Sequence, residues 1–291
     1  MKNCFIKTAV LLLCAAVFIS CSKDEAKPQN QELNIAVSSY VPYTFAKSVL
    51  GDAANLTLLI PPGVEAHAFE PSPKTIKEIK QAQIFFYTSN FLEPWALKLD
   101  KNAVMLAENL PQVLPQDPHV WMNFDSVRIL ARRTAELLAQ INPQQASIYQ
   151  ANLKNFEQEL TALDKEFTQG LAHCDNREIV HIGHLAFGPL AKRYGLELFA
   201  LSGSSHEGEH SVRRLADLVQ HIRRKKIHAL FTEDAVSPRL AEAVAAETGV
   251  DILTLHTIEH VSKNDFNQEV SYVEFMHRNL ESLQRGLSCR L

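Results

Sequence analysis

Residues 177–196, REIVHIGHLAFGPLAKRYGL, decide the fold class. Ile179-Val180 is a short apolar pair within Glu178–Ile182, and the segment reads as a buried strand. The run ends in His181-Ile182-Gly183-His184, and an amphipathic helix is expected from about Leu185 to Tyr194. Gly195 stands where a left-handed residue would close that helix. Strand, turn and helix in this order make the unit of an open α/β sheet. A histidine just past the strand end, as His184 is, sits where such sheets bind ligands.

The same rhythm continues toward the C-terminus. Strands are expected at 197–201, 229–232 and 251–255, and helices at 211–225, 237–248 and 272–285. It also holds toward the N-terminus. Strands are expected at 33–38, 56–60, 83–88 and 103–106, with helices at 42–50, 73–82 and 91–99. Ser72-Pro73 opens the second of these helices, with serine at the cap and proline at the first turn. Pro61-Pro62-Gly63 turns the chain sharply before Val64-Glu65-Ala66-His67. A further helix is expected from Asp125 to Ile141, where Asn142-Pro143 breaks it. Strands that alternate with helices imply parallel sheets covered on both faces.

Between the two halves lies a different segment. Tyr149, Leu153, Phe156, Leu160, Leu163 and Phe167 follow helical spacing, and no glycine or proline interrupts until Gly170. A helix of some 25 residues spans about 37 Å at 1.5 Å per residue. The expectation is therefore two α/β lobes, 32–142 and 174–291, joined by one long rigid helix within 143–173. Such a helix should resist a wide hinge.

Composition sets the class. A hydrophobic share of 46% with 21% charged residues is that of a globular protein. The net charge of −4 gives no basic footprint, so nucleic acid is not an expected partner. Residues 1–20 carry Lys2 and Lys7, then a short apolar core, then Ser20, and read as a secretory signal too short to span a bilayer. Residues 22–31, SKDEAKPQNQ, have the polarity of a tether. Cys174 and Cys289 remain in an exported and oxidising setting, where they either pair or stay free.

All 12 histidines lie after residue 60. His67, His119, His184 and His256 occupy loop-like positions, and the last two directly follow strands. Loops after the strands of a parallel sheet emerge at one edge. Four such loops from two facing sheets can meet in one cleft, which suits a four-coordinate metal. His206 and His210, in a polar loop, are candidates for accessory metal capture. His181 points into the sheet edge and supports rather than binds. His173 lies at the end of the long helix, His221 and His228 flank a basic stretch of surface, and His277 lies on the last helix, so all four are weaker candidates. His181-Ile182-Gly183-His184 also spells a motif of nucleotidyl-transferring synthetases, but those need ATP and this chain carries an export signal. Three histidines with an open position would equally suit a zinc-dependent hydrolase.

Several segments together resemble a family. They are Gly63-Val64-Glu65-Ala66-His67-Ala68-Phe69-Glu70-Pro71, Asp117-Pro118-His119-Val120-Trp121, His184-Leu185-Ala186-Phe187 with Arg193-Tyr194-Gly195-Leu196, Phe231-Thr232-Glu233, and Thr254-Leu255-His256. They look like the ligand loops and strand ends of the solute-binding proteins of bacterial zinc and manganese uptake ABC transporters. The resemblance implies two α/β lobes on one rigid helix, with the metal between them and an ABC permease as partner. It carries the ligand role to His67, His119 and His184. Members usually have Asp or Glu at the fourth position, where this chain has His256. Either His256 ligates, or three histidines are completed by water or by Glu233 or Glu259. A nitrogen-rich set favours zinc over manganese. Ser20-Cys21 resembles a lipobox, which implies lipid on Cys21 and anchoring to a membrane outside the cytoplasm. Some members of the wider family also serve as surface adhesins.

Overall fold

The computed structural model describes residues 33–51, 54–99, 102–108, 110, 117–203, 212–233 and 238–290. The signal, the tether, Cys21, His206 and His210 lie outside the described residues.

Two four-stranded parallel sheets form, each built from its own half of the chain. The first comprises β1 (Leu33–Val37), β2 (Ala54–Leu58), β3 (Ile84–Tyr87) and β4 (Ala103–Met105), in the order β2-β1-β3-β4. Its helices are α1 (Tyr40–Leu50) and α2 (Pro73–Gln81). Next come α3 (Phe124–Ile141) and α4 (Ala146–Gly170). The second sheet comprises β5 (Glu178–Ile182), β6 (Glu197–Ala200), β7 (Ala229–Thr232) and β8 (Asp251–Thr254), in the order β6-β5-β7-β8. Helices α5 (Gly188–Arg193), α6 (Val212–Lys225), α7 (Arg239–Thr248), α8 (Lys263–Asn267) and α9 (Tyr272–Gly286) accompany it. The two sheets thus repeat one winding order. In both, the order reverses beside the first strand, where a crevice opens at the strand ends.

Local chemistry sets the boundaries. Ser72 caps α2 by accepting a hydrogen bond from the Thr75 amide at 3.2 Å. Asn123 caps α3 through the Asp125 and Ser126 amides at 2.9 and 3.2 Å. Gly195, at φ +62°, ends the turn after α5 as its sequence position required. The helix expected from Leu185 begins only at Gly188, because His184–Phe187 is held in a loop and Pro189 fits a first turn. The helix expected at 91–99 is a 3₁₀ turn, Pro94–Lys98. Helix α8 was not expected from sequence.

Helix α4 covers 25 residues and buries the predicted stripe, Tyr149, Leu153, Phe156, Leu160, Leu163 and Phe167. It packs on α1 and α3 of the first half and on α9 of the second. One core cluster runs through both halves, from Phe45 and Trp121 to Phe231, Tyr272 and Phe275. Hydrogen bonds cross the same seam. Tyr40 donates to the Val270 carbonyl at 2.9 Å, Tyr272 to the Trp121 carbonyl at 2.7 Å, and the Trp121 indole to the Thr257 carbonyl at 2.7 Å. Residues 32–291 accordingly form one unit rather than two loosely hinged ones.

Cys174 and Cys289 are joined in a disulfide that ties the exit of α4 to the end of α9 across 115 residues. Closing so long a loop restricts the unfolded chain. Reduction should lower stability by about 2–5 kcal/mol, read as a fall in the thermal midpoint.

Candidate metal centre

His67 follows β2. The strand's line continues as the Leu59 and Ile60 amides donate to the Val37 and Ser38 carbonyls at 3.0 and 2.9 Å. The chain then turns through Gly63, at φ +84°, and the Glu65 carboxylate accepts the His67 amide at 3.0 Å. His119 lies in the loop between β4 and α3. Asp117 Oδ1 accepts both its backbone amide, at 3.0 Å, and its Nδ1, at 2.8 Å.

His184 lies two residues beyond β5. Glu233, just past the neighbouring β7, braces it in the same manner, with Oε1 accepting the amide at 3.0 Å and Nδ1 at 2.9 Å. A carboxylate on Nδ1 fixes the tautomer and turns the Nε2 lone pair inward. Gly183 makes this approach possible, since a Cβ there would lie 2.0 Å from Glu233 Oε1. His181 is buried beside the pair, with Nδ1 3.1 Å from the His184 carbonyl oxygen.

The three Nε2 atoms face Glu259. His184 Nε2 is 3.0 Å from Glu259 Oε1, while His67 and His119 Nε2 are 3.4 and 3.5 Å from Oε2. His119 and His184 Nε2 are 2.9 Å apart. These four residues offer ligand atoms within 4.8 Å of one another. A tetrahedral zinc site with bonds of about 2.0–2.1 Å has edges of roughly 3.3–3.4 Å, close to this spacing.

Neither Glu259 oxygen nor His67 Nε2 makes a hydrogen bond, although all three are buried. Burying a carboxylate and an imidazole nitrogen in that condition costs several kcal/mol unless a cation partners them. The donor set therefore fits a divalent metal.

Burial alone would lower the two inner imidazoles. The Asp117 hydrogen bond and the facing Glu259 carboxylate outweigh it at His119, and the Glu259 and Glu233 carboxylates outweigh it at His184, so both lie above the ordinary histidine value. Burial would raise Glu259, but facing His184, His119 and His67 holds it well below the usual carboxylate range.

The fourth histidine is elsewhere. Asn279, on α9, clamps His256 by accepting its amide at 2.7 Å and donating to its carbonyl at 2.9 Å. The His256 ring packs 5.1 Å from that of Phe275, and His256 does not join the cluster. The chain then passes Thr257, which is held by Trp121, and Ile258 at φ +68°. That left-handed residue, uncommon for a β-branched side chain, redirects the backbone so that Glu259 faces the three imidazoles.

His221 also departs from its expected surface position. It is buried on Phe199 and 2.7 Å from Glu178 Oε1. His228 is exposed, as its basic surroundings suggested, and so are His173 and His277. Trp121 is the strut between the two sides of the centre. Trp121→Phe keeps the ring but strands the Thr257 carbonyl, and chemical denaturation should show a loss of about 1–3 kcal/mol.

Two parallel sheets share one long helix, and three imidazoles and one carboxylate drawn from both halves converge at the seam. The chain belongs to the family described as zinc-uptake complex component A, periplasmic (ZnuA), whose model matches residues 35–286.

It is 31% identical to the zinc-binding lipoprotein AdcA of Streptococcus pneumoniae over 306 residues, covering 96% of this chain. It spans 60% of that relative's length. It is 29% identical to the high-affinity zinc uptake system protein ZnuA of Bacillus subtilis, covering 97% of this chain and 96% of the relative. The Zn(II)-bound ZnuA-like domain of S. pneumoniae AdcA superimposes with a TM-score of 0.78 at 31% identity, covering 88% of this chain and 99% of that one.

Proposed function

We propose that this chain captures a zinc ion outside the cytoplasm through His67, His119, His184 and Glu259 and delivers it to an ABC permease. The observation that carries this reading is the convergence of three imidazoles and one carboxylate, buried and without hydrogen bonds at Glu259 and His67 Nε2. Three nitrogens with one oxygen suit zinc better than manganese, which favours oxygen-rich sets.

The chain's own residues do the work. Asp117 and Glu233 hold the Nδ1 atoms of His119 and His184, so both rings are set before the ion arrives. The Glu259 carboxylate offsets one of the two positive charges.

A catalytic zinc keeps one position open for water. Here a protein carboxylate takes that place, which favours holding an ion over hydrolysis. Cys21 would carry the lipid that keeps the protein at a membrane surface, with the ABC permease as its partner there. Elemental analysis of protein purified without a histidine tag should find a tightly held zinc ion in each chain. A chain free of metal that fails to take up zinc in a competition titration would overturn the proposal.

A further inference from the structure

Glu259 faces a second group of ligands besides the three histidines. Glu65, Glu259 and His260 also offer ligand atoms within 4.8 Å of one another. His260 Nδ1 lies 3.7 Å from Glu259 Oε1, the oxygen that faces His184. We infer that Glu65, Glu259 and His260 form a second, outer station for a divalent transition metal, sharing the Glu259 carboxylate with the inner centre. This rests on the proposed role of the inner four residues.

Three observations support it. Glu259 is 1% exposed, and neither of its oxygens makes a hydrogen bond, so this buried carboxylate can bridge two ions. Bridged divalent ions about 3.5–4 Å apart are ordinary in two-metal sites. The donor set, one imidazole and two carboxylates, is richer in oxygen than the inner one and binds zinc more weakly.

Exposure also runs in the required direction. His119 and His184 are wholly buried, and His260 is 7% exposed. Glu65 and His67, on one loop, are the partly exposed members of the two groups. An ion entering past that loop meets Glu65 and His67 before the wholly buried His119 and His184. Glu259 then serves both stations, so the ion can move inward without leaving the carboxylate.

The test is zinc titration of the mature protein by calorimetry, with anomalous scattering at the zinc edge from crystals grown in excess zinc. The wild type should take up a tight equivalent and then a second one bound at least a hundredfold more weakly. Density for the second should lie among Glu65, Glu259 and His260. Glu65→Gln and His260→Gln should each weaken the second equivalent by tenfold or more, and in His260→Gln the tight equivalent should still be present. Absence of a second equivalent would overturn the inference, as would one that survives both substitutions or one placed elsewhere by the anomalous map. Loss of the tight equivalent from the wild type would instead overturn the proposed function, so the two failures are distinguishable.

Discussion

Glu259→Ala should weaken zinc binding by well over a hundredfold, at least about 2.7 kcal/mol. His256→Ala should leave it within threefold. The contrast follows from the turn after β8. His256 is clamped to α9 by Asn279 through two backbone hydrogen bonds, while Glu259 faces all three imidazoles. Removing the carboxylate takes away a ligand and the only negative charge in the set of four. Removing the His256 ring leaves the Asn279 clamp in place, because that clamp uses backbone atoms. Competition against a chromophoric chelator reads both variants on one scale. Equal losses in the two, or a larger loss in His256→Ala, would contradict this assignment.

Zinc affinity should also rise steeply with pH through neutrality, by about tenfold per pH unit for each proton displaced. The sign follows from the metal-free centre. His119 and His184 both lie above the ordinary histidine value, so the free site carries protons that the loaded site cannot. Glu259 lies well below its usual range and is already ionised, so it contributes no proton. The free state thus binds more protons than the loaded state, and raising the pH favours loading until those protons are gone. Unperturbed histidines would confine the dependence to the region near ~6.5. Facing carboxylates move it upward, so affinity measured between pH 7 and 8 should still be climbing. A flat profile over that interval would contradict the account.

Much of this was legible in the chain. The alternation of strand and helix sets the two sheets, and the stripe from Tyr149 to Phe167 sets α4. His67, His119 and His184 could be placed in one cleft because each lies in a loop on the ligand side of a parallel sheet, and the structure brings all three together.

The fourth position could not be read that way. Extending β8 in register points to His256 as the next residue at the edge. What moves the site three residues onward is the Asn279 clamp, 23 residues away in sequence, and the left-handed Ile258, a residue type that gives no local sign of it. Glu259 could be named only as a nearby carboxylate. His221 was misjudged for a related reason. Its neighbours Arg223, Arg224 and Lys225 look like a solvated face, but one turn of α6 lays the ring on Phe199 and Glu178. Asp117 and Glu65 were closer to hand, since each stands two residues before its histidine and accepts that histidine's amide.

The most direct test of the four-residue centre is a crystal structure of the zinc-loaded protein with anomalous data on both sides of the zinc edge. The account predicts a peak bonded at about 2.0–2.2 Å to the Nε2 atoms of His67, His119 and His184 and to a Glu259 oxygen. A tightly held zinc ligated by His256, or one that Glu259 does not touch, would contradict it.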